Sequence, residues 1–238
     1  MECRPPPPRA AALFFPLALA VAPAALADSL TNGDFATGDF TGWTRDTDGG
    51  PGGSPDFSVV GSTGAYAARL EADYWSDPGN TTSNPRNSVL FANTLVQELD
   101  TALSPGAAMR LTFDWLFTGE DGDPASGDTF SVALNDGQGN LYGADGLLGF
   151  LIDPSRLYGN GTYSAVLDRT RFGDQANWFL EVQLGVGVDT TGQPNGYGST
   201  VQFSNASLTQ FYDAPTPAPL ALVLLGLPLL ARRRPARQ

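Results

Sequence analysis

Met109-Arg110-Leu111-Thr112-Phe113-Asp114-Trp115-Leu116-Phe117 alternates apolar and polar residues along most of its length. Side chains of a β-strand point to opposite faces with a period of two. Met109, Leu111, Phe113, Trp115 and Phe117 therefore share one face, and Arg110, Thr112 and Asp114 take the other. One apolar face and one wet face mark a half-buried strand of an antiparallel sheet. The same pattern recurs on both sides of this stretch. Phe130, Val132 and Leu134 alternate with Thr129, Ser131 and Ala133, and Leu180, Val182, Leu184, Val186 and Val188 alternate with Glu181, Gln183, Gly185 and Gly187. Weaker strands are predicted at 57–60, 65–71, 89–99, 147–152, 162–168 and 200–208. Turn clusters such as Asp136-Gly137-Gln138-Gly139-Asn140 and Asn160-Gly161 separate them. No segment sustains the i, i+3, i+4 spacing of a central helix. About nine or ten short strands with one-sided patterning predict an all-β fold, a single antiparallel β-sandwich over residues 28–213.

Composition narrows the chemistry. The 238 residues contain no His, one Cys, and 13 cations that are all Arg. Without His there is no Ser-His-Asp or Cys-His nucleophile and no His-ligated zinc, and without Lys there is no Schiff base and no phosphate-loop lysine. Residues 28–213 carry 24 acids against 7 Arg. Such a surface repels phosphate backbones, which argues against nucleic acid as a partner.

Both ends read as addresses. Residues 1–27 have Arg4 and Arg9 ahead of the apolar run Ala10–Leu26, then Ala25-Leu26-Ala27 as a small-x-small cleavage site. That is the layout of a signal peptide for signal peptidase. Cys3 would leave with it, so an exported domain must be held by its core, without disulfides. Residues 214–238 comprise a Pro-rich stretch, the apolar run Leu220–Ala231, and Arg232-Arg233-Arg234. As a helix these twelve apolar residues span roughly 18 Å, a short membrane segment with its Arg cluster held on the cytoplasmic side.

This tail resembles a PEP-CTERM sorting signal: Pro215-Thr216-Pro217, a Leu/Ala/Gly helix, then Arg232, Arg233 and Arg234. Thr216 departs from the Glu usual between the two prolines. The resemblance implies an exosortase-type partner and an origin in a Gram-negative bacterium. It also implies anchoring in the inner membrane through the C-terminal helix before processing, then residence at the cell surface or in the extracellular matrix. A second resemblance covers most of the sandwich. NGDFATGDFTGW (32–43), GAYAARL (64–70), LVQELDTALSPGAAMRLTFDW (95–115) and FSNASL (203–208) are similar, in order, to galactose-binding-like jelly rolls, especially carbohydrate-binding modules. That resemblance implies a jelly roll, and the residues agree with it: Gly33 and Gly38 permit tight turns near the first strand, Phe35 and Phe40 can cover the core edge, and Trp43 is expected to plug one end. It also implies a structural calcium between the first and last strands, but Ala36 and Ser204 stand where carboxylates are expected. Asp34 and Asn205 are the remaining side-chain oxygen donors there.

Three kinds of site follow from the residues. Glu120, Asp121, Asp123 and Asp128, among Gly119, Gly122 and Gly127, form either a calcium-holding loop or a solvated acidic hairpin. Tyr74, Trp75, Asp77, Asn80 and Arg86 lie in a Pro- and Asn-rich stretch that reads as a loop. There an aromatic ring could stack on a sugar while amides and charges read its hydroxyls. A glycosidase would need two carboxyl groups roughly 5–9.5 Å apart. The four Glu after the signal, Glu71, Glu98, Glu120 and Glu181, sit in no enzyme motif, and Glu181 falls on the solvent side of its strand. The expectation is a non-enzymatic exported protein that associates with extracellular polysaccharide, with calcium as the candidate ion. The alternatives are a purely structural matrix protein and a polysaccharide-modifying enzyme.

Overall fold

The computed structural model describes residues 30–54, 56–62, 64–72, 91–101, 107–119, 127–168, 177–187 and 198–212. The signal segment 1–27 and the tail 214–238 lie outside these residues. The strands are β1 (Thr44–Thr47), β2 (Gly50–Pro51), β3 (Phe57–Ser62), β4 (Ala65–Ala72), β5 (Ala92–Leu99), β6 (Ala108–Gly119), β7 (Thr129–Asn135), β8 (Leu141–Tyr142), β9 (Ile152–Ser155), β10 (Gly159–Leu167), β11 (Trp178–Gly185) and β12 (Ser199–Phe211). No helix occurs among the described residues, so none there is long and apolar enough to cross a membrane.

Two antiparallel sheets result. One has the order β10-β6-β12-β4-β3; the other runs β2-β1-β5-β11-β7-β8, with β9 also paired to β7. From β4 to β7 each strand changes sheet. The chain then stays beside β7 through β8 and β9, and changes sheet again at β10, β11 and β12. Alternation with one pause at the middle is the connectivity of a jelly roll. The predicted all-β sandwich is the observed fold.

The alternating faces pack together as their pattern requires. Met109, Leu111, Phe113 and Phe117 are buried, and Trp115 packs half-buried against the same core. Leu180, Val182 and Leu184 face them from β11, with Phe130, Val132 and Leu134 from β7. Fully burying one such side chain is worth about 1.5–3 kcal/mol. An aromatic cluster fills the end nearest the first loop. Trp43 stacks on Phe35 with centroids 5.4 Å apart, and its Nε1 donates to the Asn32 carbonyl at 3.2 Å. Phe203 meets Trp43 edge-on and tilts against Phe113, which stacks on Tyr163. Trp43 thus plugs one end of the sandwich, and Phe35 goes further than the core edge, with no exposed surface. It is held at φ 53°, a left-handed conformation rare for a bulky residue.

The Asn32–Trp43 loop is built around Asn32. Its Nδ2 donates to the Asp39 and Thr41 carbonyls, and its Oδ1 accepts from Thr37 N. Buried Gln97 fastens the loop to β5, with Nε2 donating to the Thr31 and Gly42 carbonyls at 2.8 and 2.9 Å. Gly38 does take the positive φ of a turn. Gly33 has a different reason: a Cβ there would meet the Ala206 carbonyl oxygen at 1.9 Å.

Three sequence readings are corrected. Residues 147–152 do not form a strand: all but Ile152 lie in the β8–β9 connection, where Leu148 makes only an isolated bridge to Tyr142. Leu147 and Leu148 are largely exposed, while Leu151 packs half-buried against the core without strand pairing, so apolarity there does not mark a strand. Asn160-Gly161 is not a turn but lies within the first half of β10, paired with Leu116 and Trp115. Glycine is used there for room, since a Cβ at Gly161 would lie 3.2 Å from Trp115 Nε1. β1, unforeseen, lacks an apolar face because its inward residues are Arg45, over the Phe40 ring, and Thr47, whose hydroxyl donates to Asn93 Oδ1 at 2.8 Å.

A polar knot joins the sheets beside Thr47. Fully buried Asn93 donates from Nδ2 to the Glu71 carbonyl at 2.6 Å, bridging β5 to β4. Asp56 lies in this knot, buried, with Oδ1 unpartnered. Desolvation, then repulsion from Asp48, holds its pKa above the ordinary carboxylate value, although Thr47 and Asn93 hydrogen bonds oppose the shift. A carboxyl whose folded pKa is raised costs stability once pH climbs through that pKa, and costs nothing below its unfolded pKa. Asp56→Asn is therefore expected to raise the melting temperature at neutral pH, with the gain vanishing as pH falls below the unfolded carboxyl range. Melting curves across pH check this; a lower melting temperature at neutral pH would show that the charge is stabilising.

Candidate functional site

The outward faces of β1, β5 and β11 form an open groove of about 610 Å³ lined by Gly42, Thr44, Asp46, Thr94, Val96, Glu98, Phe179 and Glu181. Strand alternation puts them there: Leu95, Gln97, Leu180 and Val182 turn into the core, so Thr94, Val96, Glu98, Phe179 and Glu181 turn outward. Register then sets the rows. Thr44, Val96 and Glu181 lie side by side, as do Asp46, Thr94 and Gln183, and Glu98 stands opposite Phe179.

Phe179 is the aromatic element of this face, half-buried where its alternation calls for a polar residue. The hairpin turn after β7 supports its ring edge: a Cβ on Gly137 would sit 3.1 Å from Phe179 Cε2. That turn is the predicted 136–140 cluster. Asp136 Oδ1 accepts from the Gln138 and Asn140 amides, and Oδ2 from Asn140 Nδ2. These bonds, the Asn140 side chain first, hold the Asp136 pKa below its ordinary value. Glu181 is positioned by Asn135, whose Nδ2 donates to Oε2 at 2.6 Å. The groove thus offers one apolar ring with carboxylates and hydroxyls around it. This combination suits a ligand with an apolar face and a rim of hydroxyl groups.

Among the described residues the charges on this face are of one sign. Asp46, Glu98 and Glu181 line the groove, and among the described residues no Arg does. Arg45 lies over Phe40. On the other sheet Arg69 pairs with Glu71 and Arg110 lies over Phe211. Arg156 Nε donates to the Gly127 carbonyl.

Few of the candidate site residues singled out from sequence are among the described residues. Tyr74, Trp75, Asp77, Asn80 and Arg86 lie outside the described residues, as do Glu120, Asp121, Asp123 and the sorting-signal residues Pro215, Thr216, Pro217, Arg232, Arg233 and Arg234. Asp128 is described and buried. Its Oδ1 accepts from Gly187 N at 2.7 Å, tying the start of β7 to the chain after β11. At the position implied for calcium, a second depression of about 390 Å³ is lined by Leu30, Asn32, Gly33, Asp34, Asn205, Ala206 and Ser207. Asp34 Oδ1 accepts from Ala36 N, and Asn205 Nδ2 donates to Asp114 Oδ2 at 2.7 Å. Among the described residues no three Asp, Glu, His or Cys side chains converge as a metal site.

Sequence reasoning does not find the groove. It treats Glu98 and Glu181 only as isolated carboxylates and begins the β11 alternation at Leu180. Starting it at Trp178 shows Phe179, Glu181 and Gln183 on one polar face, and an aromatic in that row is the usable signal.

No protein-family model and no curated protein sequence matches the chain. Among solved structures, the enzymatically active domain of Bacteriophage CBA120 tailspike protein 4 is 13% identical with a TM-score of 0.40, covering 76% of this chain and 21% of that chain. The CBM22-1 xylan-binding domain from Paenibacillus barcinonensis Xyn10C is 13% identical with a TM-score of 0.36, covering 81% of this chain and 98% of that one. The xylan-binding module CBM15 is 12% identical with a TM-score of 0.33, covering 75% and 95%.

Proposed function

We propose that the chain is an exported, non-enzymatic surface or matrix protein that associates with extracellular polysaccharide through the outer face of β1, β5 and β11. The observation that carries this reading is Phe179, set among Thr44, Thr94, Glu98 and Glu181 in one open groove. A pyranose ring presents a C–H face to an aromatic ring and hydroxyls to surrounding carboxylates and threonines. Export rests on the signal layout of 1–27 and the sorting-signal layout of 214–238.

The test is retention of the full chain on a panel of insoluble polysaccharides and in affinity gels. Phe179→Ala is expected to weaken binding about tenfold, since an aromatic contact is worth roughly 0.5–1.5 kcal/mol beyond its area. Unchanged retention in Phe179→Ala would move the site off this face.

A second reading has one observation behind it. Glu98 and Glu181 line the same groove from neighbouring strands, in a diagonal relation set by the register Glu98↔Phe179 and Glu181↔Val96. Diagonal backbone positions lie about 7–8 Å apart, which puts a two-carboxylate hydrolysis within geometric reach. Release of reducing ends by the full chain, abolished in Glu181→Gln, would replace the binding reading with an enzymatic one.

A further inference from the structure

We infer that the groove selects polysaccharide bearing free amino groups, a partly or fully N-deacetylated amino-sugar polymer, over neutral or uronic-acid polymers. This rests on the polysaccharide reading of the same groove and names its ligand class. Three acidic side chains, Asp46, Glu98 and Glu181, line the groove on three different strands. Neighbouring strands lie about 4.8 Å apart and alternate residues of a strand about 6.8 Å, so Asp46 on β1 and Glu181 on β11, two strands across and one row along, stand roughly 12 Å apart at the backbone. Glu98 sits between them in strand order, one row beyond Glu181 and two beyond Asp46. The acids are therefore spread over the groove rather than gathered at one point, which suits a polymer with charge at successive units better than a single ion. Consistent with that, no three of the acids in the described residues converge as a metal site.

The four described arginines are engaged elsewhere, over Phe40, with Glu71, on the Gly127 carbonyl and over Phe211. The chain has no Lys or His, and the other arginines of residues 28–213, Arg86, Arg169 and Arg171, lie outside the described residues. A carboxylate-bearing polymer entering this groove would meet only like charge from the described residues, whereas an ammonium group would find a charge-assisted partner. Glu181 is held ready for that contact, because Asn135 occupies Oε2 and fixes the carboxylate's orientation.

The experiment is titration of the full chain with three hexasaccharides in a mildly acidic buffer that keeps sugar amines protonated. The probes are a β-1,4-glucosamine hexamer, its fully N-acetylated counterpart and a hexauronate. The glucosamine hexamer is expected to bind roughly tenfold more tightly than the acetylated one, the size expected of two partly exposed charge pairs. That preference should shrink with added salt and disappear in the Glu98→Gln/Glu181→Gln double variant. It should persist in Asp153→Asn, a charge removal on exposed β9 away from the groove. Equal or tighter binding of the acetylated hexamer or the hexauronate overturns the inference and leaves the polysaccharide reading standing. A preference lost equally in Asp153→Asn also overturns it, because the acidic surface as a whole would then be responsible. Binding of none of the three, with no retention on the polysaccharide panel, removes both the inference and the reading beneath it.

Discussion

Gly33→Ala is expected to cost at least about 3–4 kcal/mol, beyond the usual range for adding one methyl group. Two backbones meet at this position. Ala206 N donates to the Gly33 carbonyl at 2.9 Å, and an added Cβ would lie 1.9 Å from the Ala206 oxygen and 2.9 Å from its carbonyl carbon. Neither atom belongs to a flexible side chain that could swing aside. Ala206 is itself buried, in the part of β12 where the register with β6 shifts between Ser204 and Ser207. Relief therefore requires moving either the Asn32–Trp43 loop or the central strand of a sheet. At 2–4 °C per kcal/mol, the melting temperature should drop by about 10 °C. Gly53→Ala is the matched control, because its added Cβ meets nothing within 4 Å. Equal melting temperatures for the two variants would mean the loop yields freely.

Phe203→Ala should be comparably severe, at about 3–5 kcal/mol. Phe203 has no exposed surface and sits in β12, 5.8 Å from Trp43 and 5.2 Å from Phe113 by ring centroids. Its removal opens a cavity where the first loop meets the middle of the sandwich. Large neighbours on both sides are locked by their own contacts, Trp43 on Phe35 and Phe113 on Tyr163, so collapse into the space is limited. Urea unfolding should show a lower midpoint at an unchanged slope. Leu157→Ala, at a residue 73% exposed, should change stability by less than about 0.5 kcal/mol. A Phe203→Ala loss no larger than that would show the cluster repacks.

Strands were legible wherever one face is buried and the other wet. β6, β7 and β11 announced themselves for that reason, and so, less strongly, did β4. Legibility failed where something other than apolar burial fixes the residue. β1 turns an arginine and a threonine inward, held by a ring and a buried amide, and no hydropathy pattern encodes that. Gly159 and Gly161 resemble turn residues but are small because Trp115 lies against them. The groove was hidden for a related reason. Its residues come from β1, β5 and β11, which are distant in sequence, and only the sheet order makes them neighbours. Asp128 reads as a loop acid but is consumed by a backbone hydrogen bond inside the fold.

The strand order also dictates a timetable. β12, the last described strand, is the middle of its sheet, between β6 and β4. Likewise β11 must arrive before β5 and β7 have a common neighbour. A chain emerging from its N-terminal end therefore leaves both pairings of β12, with β6 and with β4, open until Ser199–Phe211 is free, although hairpins such as β3–β4 and β7–β8 can form earlier. Neither sheet can be completed locally, which is the situation of high contact order and of folding on the millisecond-to-second scale. The same lag keeps the polypeptide threadable for as long as its last stretch is withheld. Until then its unpaired edges need shielding from other chains.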